Sequence, residues 1–296
     1  MYKRQSESTD VSAEARRLLS AGKERVKRAV IDPRTVMQDV LRASPKTPFS
    51  KKVFWDALDR PHYAYGIYQA AYNARHQGID EISAVEFGVA GGNGLVAMED
   101  VADAVTAETG VGVRVFGFDT GAGMPEPVDY RDLPYVWQPG DFPMDVDRLR
   151  SRLRSATLVL GDVAETVGGF VDTYEPPPIG FVAFDLDYWS STVSALRLFD
   201  EAIERFLPRV FCYMDDVIGS DVEIHCEFVG ELLAIREFND THEDRKLAPI
   251  NALAHKRPVP AIWNDQIWVM HGFTHPSYGT YIPQPRAEVF DLALKS

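Results

Sequence analysis

The chain has 296 residues, enough to bury a full core in one large α/β domain with an appended helical segment. Its 45% apolar and 25% charged residues are those of a folded globule, and no apolar run reaches the length that spans a bilayer. The net charge of −13 is unevenly placed: residues 1–60 carry 14 Lys and Arg against 8 Asp and Glu, the remainder 17 against 36. So acidic a body repels a phosphate backbone, which argues against nucleic acid as a partner; the basic segment reads as a solvated helix face. Met1 to Asp10 lacks the apolar stretch of a signal peptide, and Cys212 and Cys226 show no metal-type pairing. Reduced thiols and a cytoplasmic location are expected.

Ala13 to Val30 sets Leu18, Leu19, Val26 and Val30 among Lys and Arg, a weakly amphipathic helix, and Pro33 opens a second short one. Phe49 to Arg75 is richer in apolar residues, with aromatics at Tyr63, Tyr65, Tyr68 and Tyr72 and a break at Pro61. It reads as a helical hairpin whose aromatic face covers the sheet, a second subunit or the mouth of an active site. Residues 1–80 are therefore expected to form a helical extension that acts as lid or dimerisation element, in a homodimer or larger homo-oligomer. From Ile82 short apolar runs alternate with helix-length segments, the pattern of βαβ units. Strands are predicted near Ala84–Val89, Arg114–Asp119, Thr157–Gly161, Phe181–Asp185 and Val210–Asp215, with a late one over Gln266–His271. Helices are predicted over Leu95–Thr109, Val146–Arg154, Val163–Thr173, Thr192–Phe206 and Glu223–Asn239. Residues 81–296 read as a single domain.

The first strand breaks into Gly88-x-x-Gly91-Gly92-x-Gly94, which is not the Gly-x-Gly-x-x-Gly of pyrophosphate-binding proteins. Asp119 follows Gly92 by 27 residues, beyond the spacing of about 20 that a nicotinamide site uses. Glu86, inside the first strand, can reach a loop amide or a cationic cofactor tail but sits badly beside pyrophosphate. Gly88, Val89, Ala90 and Gly92 are thus candidates for the cofactor cradle. Asp119 is expected to accept both ribose hydroxyls, with Thr120 beside it. Asp162 accepts from an adenine amino group, caps the helix that starts at Val163, or does both.

Acids also end the fourth and fifth strands, as Asp185-Leu186-Asp187 and Asp215-Asp216. Parallel strands open on one rim, so Asp185, Asp215 and Asp216 are expected to converge, and like charges that close need a cation or protons. Oxygen-only ligands favour Mg²⁺, which would hold two acceptor oxygens and acidify a hydroxyl. Helix caps and surface acids at strand ends are the plainer reading.

Glu86-Phe87-Gly88-Val89, Gly117-Phe118-Asp119-Thr120-Gly121-Ala122-Gly123-Met124-Pro125-Glu126, Asp185-x-Asp187 with Ser191-Thr192, and Asp215-Asp216 together resemble the macrocin O-methyltransferase family over roughly residues 80–220. Those are class I S-adenosylmethionine enzymes that act on sugar hydroxyls of natural products with a bound magnesium. The resemblance implies that Glu86 and Gly88 line the methionine part, that Asp119 holds the ribose, that Asp185 borders the cofactor, and that Asp185, Asp215 and Asp216 hold the metal. The expected fold is α/β: a Rossmann-like, doubly wound, mostly parallel seven-stranded sheet with an N-terminal helical extension. Three features depart from the pattern. The family's Asp-Gly-Asp is Asp185-Leu186-Asp187 here, and the spacing from it to Asp215 is slightly longer. Met124–Arg154, where the family places a basic histidine, has no histidine and carries Asp129, Tyr135, Trp137 and Asp141 instead.

His225, nine residues beyond Asp216, and Asp187 are the candidate bases. His271 and His275 have tempting spacing, but Gly272 and Pro276 argue against a helix that would join them on a metal. His62, beside Pro61, is a candidate for the acceptor pocket. Trp137, Tyr188, Trp189 and Trp263 form an apolar acceptor wall or simply core. The expected function is S-adenosylmethionine-dependent methyl transfer to an oxygen of a small molecule with Mg²⁺ assistance. A nicotinamide-dependent oxidoreductase is the first rival, disfavoured by the glycine spacing, by Glu86 and by the lack of a Tyr-x-x-x-Lys pair. A non-catalytic protein that binds the cofactor or a partner is the second.

Overall fold

The computed structural model describes residues 33–283, so the helix expected over Ala13–Val30 lies outside the described residues. Three helices, α1 (Pro33–Ala43), α2 (Phe49–Phe54) and α3 (Pro61–His76), precede β1 (Glu81–Phe87). The alternation predicted from Ile82 follows: α4 (Asn93–Thr109), β2 (Gly112–Asp119), α5 (Val146–Arg152), β3 (Thr157–Leu160), α6 (Val163–Thr166), α7 (Phe170–Tyr174), β4 (Ile179–Phe184), α8 (Trp189–Leu196) and β5 (Phe206–Met214). The chain ends its described part with α9 (Gly230–Thr241), β6 (Arg245–Pro249), α10 (Leu253–Lys256) and β7 (Ile267–Gly272). Among these residues no helix is long and apolar enough to cross a membrane.

The seven strands form one sheet in the order β3-β2-β1-β4-β5-β7-β6. Pairings from β3 through β5 are parallel, and β7 runs antiparallel to both β5 and β6. This is the Rossmann-like, doubly wound sheet expected from the sequence. Its strand order reverses between β1 and β4, and in such sheets the crevice outside the carboxyl ends at that reversal takes the ligand. Alternation along the strands splits the core in two. Ile82 and Ala84 of β1 pack under α3 and α4 on one face, while Val85 and Phe87 pack with Phe170, Phe199 and Phe238 on the other. A sheet covered on both sides explains why β4 is buried along its whole length.

Helix α3 starts with Pro61 in its first turn, where the missing N–H costs nothing. Its buried face of Tyr63, Ala64, Ile67, Ala70, Ala71 and Ala74 lies in the same core as Phe181, Leu207 and Tyr213 of the sheet. The aromatic helix thus covers the sheet itself, and a boundary at residue 80 passes through a continuous core. Gly66 lets the helix close in: a Cβ there would stand 2.3 Å from the Phe181 ring. Behind α3, Asp56 and Arg257 form a buried ion pair, with the guanidinium between the rings of Tyr65 and Trp263 at 5.1 and 5.2 Å.

Four predicted helices are shorter than expected, α5 by only two residues at its end. Gly168-Gly169 weakens the segment after Val163, which breaks into α6, a 3₁₀ turn and α7. The segment from Thr192 leaves α-geometry after Leu196 and buries Leu198 and Phe199 from a 3₁₀ turn. The helix predicted from Glu223 starts only at Gly230, whose φ of +57° is a left-handed conformation that glycine adopts freely. Strand β6 has no clear sequence signal, because Arg245, Lys246 and Pro249 suit only an edge strand.

Candidate functional site

A cleft of about 360 Å³ opens at the carboxyl ends of β1, β2, β4 and β5. Its floor is the turn from β1 into α4. Gly88 there has φ +86°, and a Cβ on it would stand 1.7 Å from the Asp185 carbonyl oxygen, so only glycine fits. Ala90 holds a left-handed φ of +46° without that freedom, a strained position held by its surroundings. Asp119 supplies the restraint. Its Oδ2 accepts from the Val89 and Ala90 amides at 2.9 and 2.8 Å, and its Oδ1 accepts from the Gly121 amide at 2.6 Å. The carboxylate expected to hold both ribose hydroxyls thus spends three of its roughly four lone-pair positions on the loop.

Glu86 is 2% exposed, yet it lines the cleft. Tyr63 of α3 donates its hydroxyl to Glu86 Oε1 at 2.6 Å. Gly94 makes room for that oxygen, since a Cβ at Gly94 would stand 1.9 Å from it. The other oxygen, Oε2, is buried with no hydrogen-bond partner. Burial raises the Glu86 carboxyl from 4.5 to about 7, against the Tyr63 hydrogen bond and the positive charge of Arg60. Gly92, Thr120 and Asp162 also line the cleft. Asp162 accepts from the Ala164 amide at 2.8 Å and so caps α6. Thr120 closes a local turn, donating to the Gly123 carbonyl at 2.8 Å.

On the acidic rim, Asp185, Asp187 and Asp215 line the cleft, whereas Asp216 does not. Asp216 turns inward: its Oδ2 accepts from the Asp187 amide at 2.8 Å, and its own amide donates to Glu231 Oε2 at 2.9 Å. Asp215 accepts from the Tyr213 hydroxyl and, through its carbonyl, from Gln266 at 2.7 Å. Asp187 takes a left-handed φ of +59°, which points it away from the path of the strand. Burial first and mutual repulsion second raise Asp185 and Asp216 well above the carboxylate range and bring Asp187 to about 7. Glu231, raised by burial and by Asp216, joins this group with its Oε1 buried and unpartnered. Nothing local marks it, because an acid in the first turn of a helix reads as a dipole partner. Among the described residues, no three Asp, Glu, His or Cys side chains stand close enough to form a ready metal-ligand set.

The expected histidines and aromatics are mostly elsewhere. His225 is 3% exposed in its side chain, sits 3.7 Å from Glu223 and is absent from the cleft wall. Burial lowers its affinity for a proton. His62 stacks on Tyr213 with centroids 4.3 Å apart, also off the wall. His271 Nδ1 bonds the Tyr278 hydroxyl and His275 Nδ1 accepts from the Ser277 amide, so each has a protein partner of its own. Trp137 lines the cleft, together with Phe142 at 5.5 Å between rings. Trp189 instead carries Arg131 on its face at 3.4 Å, Tyr188 is fully buried, and Trp263 lies in the core. Arg60 and Phe142 are cleft residues that no motif in the sequence marks.

No family model matches the chain, and no curated protein matches it. Among solved structures it is similar to the calicheamicin methyltransferase CalS11, with 20% identity over 81% of this chain and 91% of that one and a TM-score of 0.48. It is also similar to the O-methyltransferase NovP, with 15% identity over 52% and 64% of the two chains and a TM-score of 0.36. An O-methyltransferase from Bacillus cereus gives 13% identity over 69% and 78%, with a TM-score of 0.33.

Asp119→Ala removes the acceptor of three loop amides, so it should cost about 2–3 kcal/mol in denaturant unfolding and speed hydrogen exchange at Val89, Ala90 and Gly121. Unchanged exchange there would show that the loop holds itself. Glu86 gives a second expectation. Because its folded pKa lies above its unfolded value, its stabilising contribution is complete below about pH 4.5 and is lost as pH rises through about 7. Glu86→Gln keeps an acceptor for Tyr63 and should therefore stabilise the protein at pH 8, by an amount on the order of 3 kcal/mol, and leave it nearly unchanged at pH 4.5. Thermal unfolding at the two pH values measures the difference, and an equal effect at both would mean that Glu86 does not titrate in this window.

Proposed function

We propose that this protein is an S-adenosylmethionine-dependent methyltransferase acting on an oxygen of a small molecule, of the natural-product or sugar type that the family resemblance implies. One observation carries the reading: Glu86, whose Oε2 is buried and unpartnered, lines the cleft together with the glycine turn at the point where the sheet order reverses. A buried carboxylate oxygen calls for a cationic donor, which the ammonium of a methionine tail supplies; a pyrophosphate there would add charge of the same sign. In this reading the turn from Gly88 to Gly92, with Val89 and Ala90, passes along the cofactor. Asp119 offers its remaining lone pair, and Thr120 its side of the cleft, to the ribose. Asp162 takes the adenine amino group while it caps α6, and Asp185 borders the sulfonium.

Transfer forms a bond from the acceptor oxygen to the methyl carbon as the carbon–sulfur bond breaks, which leaves a neutral thioether, and the acceptor's proton must go to a base. Asp187 lines the cleft and His225 does not, so Asp187 is assigned that role. Trp137 and Phe142 form the apolar side against which an acceptor lies. The donors are of the type a hard divalent ion takes, oxygen atoms with excess negative charge, but among the described residues no three of them stand in a ready ligand set. Mg²⁺ would be held by Asp185 and Asp215, with Asp216 behind them, and when bound it would polarise the acceptor hydroxyl. The acidic body and the enclosed cleft favour a small acceptor over nucleic acid. A cytoplasmic homo-oligomer remains the setting we propose.

Calorimetric titration with S-adenosylhomocysteine and with NAD⁺, each with and without Mg²⁺, tests the reading. Binding of S-adenosylhomocysteine alone is expected. Binding of NAD⁺ alone would establish the oxidoreductase instead, and binding of neither would leave an interaction protein. In an acceptor screen read by S-adenosylhomocysteine release, Asp187→Asn should lower turnover at least about 100-fold while cofactor affinity stays within about twofold. Full turnover in that variant would remove Asp187 from the role of base.

A further inference from the structure

Arg60 precedes Pro61 and lies just outside α3, with φ −123° and ψ 73°. The proline keeps it out of the helix, so its side chain leaves the helix end and reaches the cleft. Among the described residues it is the only Lys, Arg or His that lines the cleft, whose acids are Glu86, Asp119, Asp141, Asp162, Asp185, Asp187 and Asp215. Its guanidinium lies over the ring of Tyr63, 5.5 Å from the centroid. Among the described residues it forms no ion pair, although its charge is felt by Glu86 and Asp185. Tyr63, three residues on, donates to Glu86, so one turn of helix places a cation and a buried carboxylate on the same wall.

Such a wall presents opposite charges to a ligand. Glu86 Oε2 needs a donor, and Arg60 has five N–H donors and no carboxylate to take them. A free α-amino acid carries the complementary pair, an ammonium and a carboxylate on one carbon. We propose that Arg60 binds the α-carboxylate of the cofactor's amino-acid tail, forming with Glu86 a two-ended clamp for that zwitterion. This assignment rests on the methyltransferase reading and adds to it a recognition residue from the helical extension. It also makes the extension part of the binding site, because the clamp joins the start of α3 to the end of β1 through the ligand. A guanidinium there selects for an intact amino-acid tail over adenosyl compounds that lack the carboxylate.

The experiment is calorimetry on the wild type, Arg60→Ala and Arg60→Lys with three ligands. These are S-adenosylhomocysteine, its decarboxylated analogue, which keeps the ammonium, and 5′-methylthioadenosine, which has neither charge. Arg60→Ala is expected to weaken S-adenosylhomocysteine about 10- to 100-fold, the range of a charge-assisted hydrogen bond. The decarboxylated analogue should bind that variant as well as it binds the wild type or better, because a like charge has gone, and 5′-methylthioadenosine should be unaffected. Arg60→Lys should recover part of the loss. Retained binding of the two truncated ligands also shows that the variant is folded. Equal weakening of all three ligands, or no weakening of any, overturns the clamp while leaving the methyltransferase reading intact. Failure of the wild type to bind S-adenosylhomocysteine removes that reading and the clamp with it.

Discussion

The hydrogen bond from Tyr63 to Glu86 joins two parts of the protein that the sequence presents separately. One partner belongs to the helical segment before the sheet and the other to the first strand. Both are buried, so the contact exists only if α3 packs flat on the sheet, which Gly66 and the alanines of its inner face allow. Gly94 has to lack a side chain for the same carboxylate to fit. A polar group buried this deeply is costly unless it is satisfied, and one of its oxygens is left without a partner. Helix packing, loop composition and ligand preference all meet at this one side chain.

The rest of the rim extends the same tension. Asp185, Asp187, Asp216 and Glu231 are all driven toward their protonated forms, by burial in every case and by one another. Backbone amides relieve part of the strain: the amide of Asp187 serves Asp216, and the amide of Asp216 serves Glu231. A fold selected for stability alone would replace such a cluster with apolar residues. Its placement at the carboxyl ends of β4 and β5, beside the turn that follows β1, is the physical case for a site that works on charge. Structural acids elsewhere behave differently. Glu99, which accepts from the amides of Arg154, Ser155 and Ala156, is held below its usual range, as a satisfied carboxylate should be.

Much of this was legible in the sequence, and the physical reason is periodicity. Strands buried on both faces appear as continuous apolar runs, so β1 to β5 and the acids at their ends could be placed by counting. The same counting put Glu86, Gly88, Asp119, Asp185 and Asp215 on one rim, where the cleft lies. Contacts made across long sequence separations were not legible. Nothing local marks Tyr63 as the partner of Glu86, Arg60 as a cleft residue or Glu231 as a neighbour of Asp216. Asp119 shows the other limit: its position follows from the strand, but its engagement with the Val89 and Ala90 amides follows from a turn geometry that residue spacing does not encode. Asp216 was expected on the rim as a strand-end acid and His225 on a loop or helix above it; Asp216 turns inward to accept from the Asp187 amide, and His225 lies in a segment of turns and bends off the cleft wall.

The division between strand ends and loops separates two aspects of function. Groups that would hold a cofactor and move a proton stand on the ends of β1, β2, β4 and β5, where the sheet fixes them. The cleft wall also takes loop material from the segment after β2, which carries Trp137 and Phe142, while the segment after β5 exposes Ile218, Val222 and Ile224 outside that wall. One hydrogen bond, from the Tyr135 hydroxyl to the Glu223 carbonyl at 2.9 Å, links the two segments. In the proposed methyltransferase, a wall built partly from a loop would let the acceptor change by loop substitution while the strand ends stay fixed. Departures from the family this chain resembles fall in both kinds of material: the histidine missing from Met124–Arg154 belongs to the segment after β2, and Leu186 lies between two acids at the end of β4.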